Sequence, residues 1–355
     1  MAFFSNTLAV IRQHIASAVG DLIMGTPDSG STTTCVDIEL GDIRWTDDYF
    51  NEHGYRFYVY AGTNIGEERF VTDWVQSTHT LTLAPVHTAA IDTTSKYELH
   101  YKFTANEYLQ AINVAIESLA KNYLIDIKDE STIKLTSAED NLEDTVYTWE
   151  YSLPTSMLYI YRVIPEHTVS GIKLTGTVSG AFTEGETVTG GTSGATGECS
   201  YGPAAGTYIR VRKVSGTFVV GETATGGTSS KTCSAITAVD SEPAGDGTFQ
   251  MNEAIDPRLW QVIKSYAPKL KLDEDRYLID EDLYIRIEGQ GAQPRVTADT
   301  DVIYLPPDWI VNKAITKLPY SKIITHNLQE TVLFAKHESE KEPRVYPHPK
   351  AVSVI

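Results

Sequence analysis

The sequence predicts an α+β protein: a helical body with antiparallel β-modules, interrupted by an inserted all-β domain of barrel or sandwich type. Three observations carry this expectation. Apolar residues step by three and four near both ends of the chain, β-rich alternating runs lie between them, and the composition changes abruptly over residues 171–236. That stretch holds 14 of the 25 glycines in a chain of 355 residues. A chain this long favours two or three domains over one core.

The elements follow in order. Leu8, Ile11, Ile15, Ala18 and Leu22 are spaced for one helix face, with Asn6 or Thr7 as cap and Gly25 beyond the end. The runs "TTTCVDIEL", "YRFYVYAG" and "EERFVTDWVQSTHTLTLAPV" are strand-like, the last forming a hairpin around Gln76–His79, and "KYELHYKF" adds another alternating strand. Thr104 and Glu107 have capping-box spacing, and Leu109, Ile112, Ile116, Leu119 and Tyr123 continue as a helical stripe. On that helix Asn113 and Lys121 are expected to face outward. "TVYTWEYSL" and "SMLYIYRVIP" are again strand-like. After the glycine-rich stretch, Asp256-Pro257 suits a helix start before Leu259, Trp260 and Ile263. "YLIDEDLYIRIEG" alternates like strands. "LPPDWIVNKAITKL" begins a helix that Pro319 must end or bend, and Ile324, Leu328, Val332 and Ala335 form a last amphipathic stretch. The expected domains are 1–165, the N-terminal part of the body; 166–246, the insertion; 247–335, the rest of the body; and 336–355, an extended C-terminal arm.

Residues 179–197, "SGAFTEGETVTGGTSGATG", return at an offset of 36 as "SGTFVVGETATGGTSSKTC", residues 215–233. A phosphate-binding loop needs Lys followed by Ser or Thr directly after its second glycine. Here Gly227 follows Gly226, and Lys231 comes too late. Gly289-Gln-Gly291 fails as a dinucleotide fingerprint because Pro294 holds the third glycine position. The repeat instead fits a duplicated β-unit: strands of Thr and Val joined by Gly turns, stacked so that Phe182 and Phe218 share one core.

Net charge is −18, which opposes tight binding of a phosphate backbone over the whole surface. It suits solubility, a basic partner, or a passage along which nucleic acid slides. Cys35, Cys199 and Cys233 lack zinc spacing and are expected to be free buried thiols. Arg12, Gln13 and His14 interrupt the first apolar run, which excludes a signal-peptide core, and no long apolar span occurs. The acidic run Asp273–Asp282 lacks the glycine of a calcium loop and is expected to be a solvated or channel-facing surface. Asp299 and Asp301 suit turn chemistry, and His14, His100 and His326 suit polar faces or caps. No catalytic motif, cofactor motif or metal-ligand set stands out, so no enzyme activity is expected.

The segments "GTPDSGSTTTCVDIELGDIRWTDDYF", "FTANEYLQAIN" and "TADTDVIYLPPDWIVNKAI" resemble neck proteins of tailed bacteriophages, the head–tail adaptors or connectors. The "GETxTGGTS" repeats resemble a small β-repeat of phage head and tail proteins. The resemblance implies a virion structural protein in a ring of many copies, a dodecamer. Such a ring sits between the portal protein and a downstream neck or tail protein and lets double-stranded DNA pass through its centre. It also implies assembly in the host cytoplasm and a final place in the virion neck. The alternative is an outward-facing decoration or host-binding protein whose repeat module holds a glycan. Within the arm, Tyr346, Val352, Val354 and Ile355 are the expected partner-binding anchors, since Pro343, Pro347 and Pro349 exclude a regular helix.

Overall fold

The computed structural model describes residues 6–41, 44–120, 122–135, 149–264, 267–273 and 283–354. It is a mixed α/β structure of mostly antiparallel sheets, in which strand residues outnumber helical ones. The chain divides into two compact units. The first comprises Met1–Ile125 and Ala292–Tyr346, and the second Asp126–Gly291 and Pro347–Ile355. The expected domains of 1–165 and 247–335 are therefore both split, residues 126–165 and 247–291 falling in the second unit. Residues 126–165 belong with the inserted region because Met157–Pro165 finds its antiparallel partner in Tyr284–Gly291, far along the chain.

In the first unit, α1 (Leu8–Ala18) is capped by Thr7, whose hydroxyl accepts from the Val10 amide. Its buried stripe is Leu8, Ile11, Ile15 and Ala16, continued by Val19. Ala18, expected on that stripe, is exposed instead. A short helix, α2 (Tyr49–Glu52), sends Phe50 into the core of a seven-stranded antiparallel sheet. The strands run across that sheet in the order Ile23–Gly25, Lys96–His100, Arg56–Ala61, Glu68–Val75, Thr80–Ala84, Thr34–Val36 and Ser29–Gly30. Helix α3 (Ala105–Ser118) opens on the reciprocal box expected of Thr104 and Glu107. Its Ile112 and Ile116 are buried with α1 and with α4 (Pro307–Ile315) in a single cluster. Asn113, expected outside, is buried: its amide donates to the Val296 carbonyl, and its own carbonyl accepts from the Val296 amide. Lys121 lies outside the described residues. Pro319 ends the helical run as expected, and α5 (Tyr320–Thr325) and α6 (Gln329–Glu338) follow. Asn327 adopts a left-handed turn between them, at φ 55°. The last amphipathic stripe is broken there, so Ile324 is exposed while Leu328 and Ala335 are buried.

In the second unit, a four-stranded sheet orders Val352–Ser353, Met157–Pro165, Tyr284–Gly291 and Ile125–Lys134. A three-stranded sheet orders Glu150–Ser152, Lys269–Leu272 and Trp260–Ile263. The expected helix after Asp256-Pro257 is absent. Asp256 caps a tight turn, accepting from the Arg258 amide on its side chain and from the Leu259 amide on its backbone. The β-prone residues that follow then pair with Lys269–Leu272.

The repeats form a closed six-stranded antiparallel barrel. The first repeat supplies Thr168–Val178, Thr187–Gly190 and Thr196–Tyr201, and the second Gly206–Ser215, Ala224–Gly226 and Thr232–Gly245. Phe182 and Phe218 lie in one cluster with Leu174, Val188, Ile209, Val211 and Ile236. Pairing crosses between repeats. The first strand of each repeat pairs with the third strand of the other, and the two middle strands pair together. Thr189 stands opposite Thr225, its own equivalent at the offset of 36. Equivalent residues face each other in this way across a two-fold axis. The barrel's ends meet, since Thr168 pairs with Gly245 and the Glu166 carboxylate accepts from the Gly247 amide.

Candidate functional site

Among the described residues, three arrangements have the chemistry of a site: a buried ionic cluster, two carboxylate clamps in the barrel, and a set of exposed apolar side chains. The cluster begins with Arg12, which falls on the buried side of α1. Its guanidinium grips Glu98 through Nε and Nη2, at 2.8 and 3.1 Å, and reaches Asp299 through Nη1 and the same Nη2. It also lies over the Tyr58 ring, and the Tyr58 hydroxyl donates to Asp299 at 2.8 Å. Strand alternation puts Glu98 and His100 on the same face of Lys96–His100, so both turn toward α1.

His100 has an acceptor at each ring nitrogen. Nδ1 is 2.7 Å from the Asp21 carbonyl oxygen, and Nε2 is 2.9 Å from a Glu98 carboxylate oxygen. An acceptor at each nitrogen favours the doubly protonated imidazolium. Burial works against that charge, but the hydrogen bond and charge of Glu98 outweigh it and raise the pKa above its ordinary 6.5. For Glu98, burial alone raises the pKa; the hydrogen bonds from His100 and Arg12, with their charges, pull it down to about 2. The Asp21 carboxylate completes the cluster. It accepts from the amides of Tyr101, Lys102 and Phe103 and from the Tyr108 hydroxyl. Donors and acceptors are matched, and Arg12, Glu98, His100, Asp21 and Asp299 are all buried. The cluster pins α1 to the sheet and to the turn before α4.

Asp299, expected in turn chemistry, is thus an ion-pair partner. Asp301 is the turn residue, accepting from the amides of Thr297 and Ala298. His14 is exposed and His326 follows α5 as its cap, as expected; His100 departs from that expectation. The signal for it was present: a charged residue inside an apolar helical stripe, with Glu98 and His100 at alternate positions of one strand.

In the barrel, the glutamate of each "GET" motif closes the "GGTS" turn of the other repeat. Glu186 accepts from the amides of Thr228 and Ser229 and from the Ser229 hydroxyl. Glu222 does the same for Thr192 and Ser193. Each also closes its own turn, Glu186 accepting from the Thr183 amide and Glu222 from the Val219 amide. Burial would raise the pKa of both carboxyls, but these hydrogen bonds outweigh it and hold both below the ordinary carboxylate range. A side chain on Gly190 would meet the Glu222 carboxylate at 2.7 Å, and Gly226 stands in the same relation to Glu186. The glycines make room for protein carboxylates rather than for a ligand. Cys35, Cys199 and Cys233 are free and buried. Among the described residues no group of three or more His, Cys, Asp or Glu could hold a metal ion. No described helix is long and apolar enough to cross a membrane.

The third arrangement is apolar. Tyr320 and Ile324 on α5, and Leu333 and Phe334 on α6, are 73%, 47%, 65% and 66% exposed. Of the arm residues singled out by sequence, Tyr346 is exposed, Val352 half-exposed and Val354 buried, and Ile355 lies outside the described residues. The arm is not free. Helix α6 runs on to Glu338, Val345 bridges to Tyr123, and Val352–Ser353 joins the edge of the four-stranded sheet. Val354, expected as a partner-binding anchor, instead enters the core of its own chain. The acidic run lies outside the described residues beyond Asp273. No family model, curated protein or solved structure matches the chain.

Proposed function

We propose that this protein is a virion structural protein, a head-to-tail adaptor that assembles as a ring, docks on the portal and lets genomic DNA pass into the tail. The observation that carries the reading is the exposed apolar surface of α5 and α6. The other large helices of that unit bury their apolar stripes, whereas Tyr320, Leu333 and Phe334 face water. Side chains of this kind are enriched where subunits meet. The net charge of −18 supports a passage that repels rather than holds DNA. The resemblance of the "FTANEYLQAIN" and "TADTDVIYLPPDWIVNKAI" segments to phage neck proteins supplies the place, the virion neck. In this role the protein is not an enzyme and needs no cofactor.

The test is assembly. Purified protein, alone and with portal, is expected to form rings with a central lumen in electron micrographs. Leu333→Glu with Phe334→Glu should leave the melting temperature unchanged and abolish the rings. Trimeric spikes that bind glycan through the barrel would instead make it a decoration or host-binding protein. Unimpaired rings from the double variant would remove α6 from the interface.

A further inference from the structure

We propose that the C-terminal strand is exchanged between copies, so that residues 347–354 of one chain complete the four-stranded sheet of another. In the single chain this strand is short. Ser353 pairs with Tyr159, Val352 pairs with Ile160, and the Val354 amide donates to the Leu158 carbonyl at 2.8 Å. Val354 is the anchor: at 2% exposure it is buried in the cluster that includes Met157, Ile160, Leu283 and Ile285. An edge strand with these features is a site for strand addition, in which main-chain bonds give affinity and one side-chain pocket gives register.

The segment leading to the anchor is built to be released. Pro343, Pro347 and Pro349 remove backbone donors and keep it extended. Between Val345 and Val352 it is held by a His348 amide bond to Gln290 and a stack of the His348 ring on Tyr161. Tyr346, at the start of this run, is 76% exposed, and Val352 is 39% exposed, so the arm carries apolar surface that its own chain leaves uncovered. Extended at about 3.1 Å per residue, the run from Tyr346 to Ala351 spans roughly 20 Å once detached.

A second copy is the occupant that fits. It brings the same Val-Ser-Val in the same register and the same valine for the same pocket. Every hydrogen bond and packing interaction given up within the chain is therefore made again between chains. Exchange then depends on local concentration, which assembly raises. The inference rests on this geometry and applies to any homo-oligomer, ring or not.

Directly opposed residues give the test. Chains carrying Tyr159→Cys and chains carrying Ser353→Cys, with different affinity tags, are co-expressed, assembled and oxidised. The three native cysteines are buried, and the unsubstituted chain controls for them. Exchange is expected to give a disulfide-linked dimer carrying both tags. The double variant, Tyr159→Cys with Ser353→Cys in one chain, shows whether the pair oxidises at all. Tags that stay separate while the double variant closes within single chains would overturn the proposal. Ile160→Cys with Val352→Cys repeats the test at the neighbouring pair should Tyr159→Cys fail to fold. Ring formation is scored separately by microscopy, so failure of the ring reading and failure of exchange give different results.

Discussion

Replacing Arg12 by Met keeps most of the aliphatic packing and removes the charge between Glu98 and Asp299. Both carboxylates are buried, with side chains 0% and 3% exposed, and neither can recover its lost partner from solvent. Breaking a buried pair from one side typically costs about 3–5 kcal/mol, because a charge is left uncompensated in a poorly solvating site. For a unit of about 150–250 residues, 1 kcal/mol moves the melting temperature by about 2–4 °C, so a fall of about 6–20 °C is expected. Thermal melting followed by fluorescence, with hydrogen exchange at the α1 amides, reads the first unit specifically. Adding Asp299→Asn to Arg12→Met removes the carboxylate left without a cation, while Glu98 keeps His100, and should recover part of the loss. If Arg12→Met melts within about 2 °C of the parent, the cluster does not hold the unit together. If the Arg12→Met, Asp299→Asn variant is no better than Arg12→Met alone, the loss is packing rather than charge. The cluster also sets a pH window. His100 has a raised folded pKa, so its contribution is full below its unfolded value of about 6.5 and is lost as pH rises through the folded value. Glu98 has a lowered one, so its contribution is present above about 4.5 and is lost as pH falls toward about 2. Urea midpoints should be highest between those limits, and Glu98→Gln should flatten both slopes.

Gly190→Ala should destabilise the barrel by about 1–3 kcal/mol by pushing the Glu222 carboxylate off its turn; adding Glu222→Ala should cost less than the sum of the two, as a double-mutant cycle in denaturant would show. Thr104→Ala removes the box that fixes the start of α3 and should cost about 1 kcal/mol in the first unit, while Ile112→Asp, whose side chain is fully buried, should prevent that unit from folding.

What was legible in the sequence was local. The Thr104–Glu107 box, the Gln76–His79 hairpin and the break at Pro319 each depend on residues within a few positions, and all three appear in the structure. The duplication was legible because copying preserves spacing. What failed depended on partners distant in sequence. Asp256-Pro257 looks like a helix start until Lys269–Leu272 offers the following residues a strand to pair with. Asn113 looks like a surface residue until the Val296 backbone needs both its donor and its acceptor. The ionic cluster joins positions 12, 98 and 299, and no period in the sequence links them.

The crossing of the repeats has a consequence for folding. Neither copy can satisfy itself: each first strand needs the other copy's third strand, and each "GGTS" turn needs the other copy's glutamate. A single repeat, cut as residues 206–245, should therefore be unfolded when dilute. The pairing of Thr189 with Thr225 shows that equivalent positions can face each other across the axis. Two identical copies of the second repeat could then meet in the same way, Thr225 opposite Thr225, and close a symmetric barrel. Covalent linkage supplies an effective concentration of order mM, so dimers of the isolated repeat are expected only at comparable concentrations. Circular dichroism across a dilution series, with sedimentation equilibrium, measures both states. A repeat that folds as a monomer would show that the crossed clamps are dispensable. One that stays unfolded at millimolar concentration would show that the differences between the copies, such as Gly197 against Cys233, have made the two halves unequal.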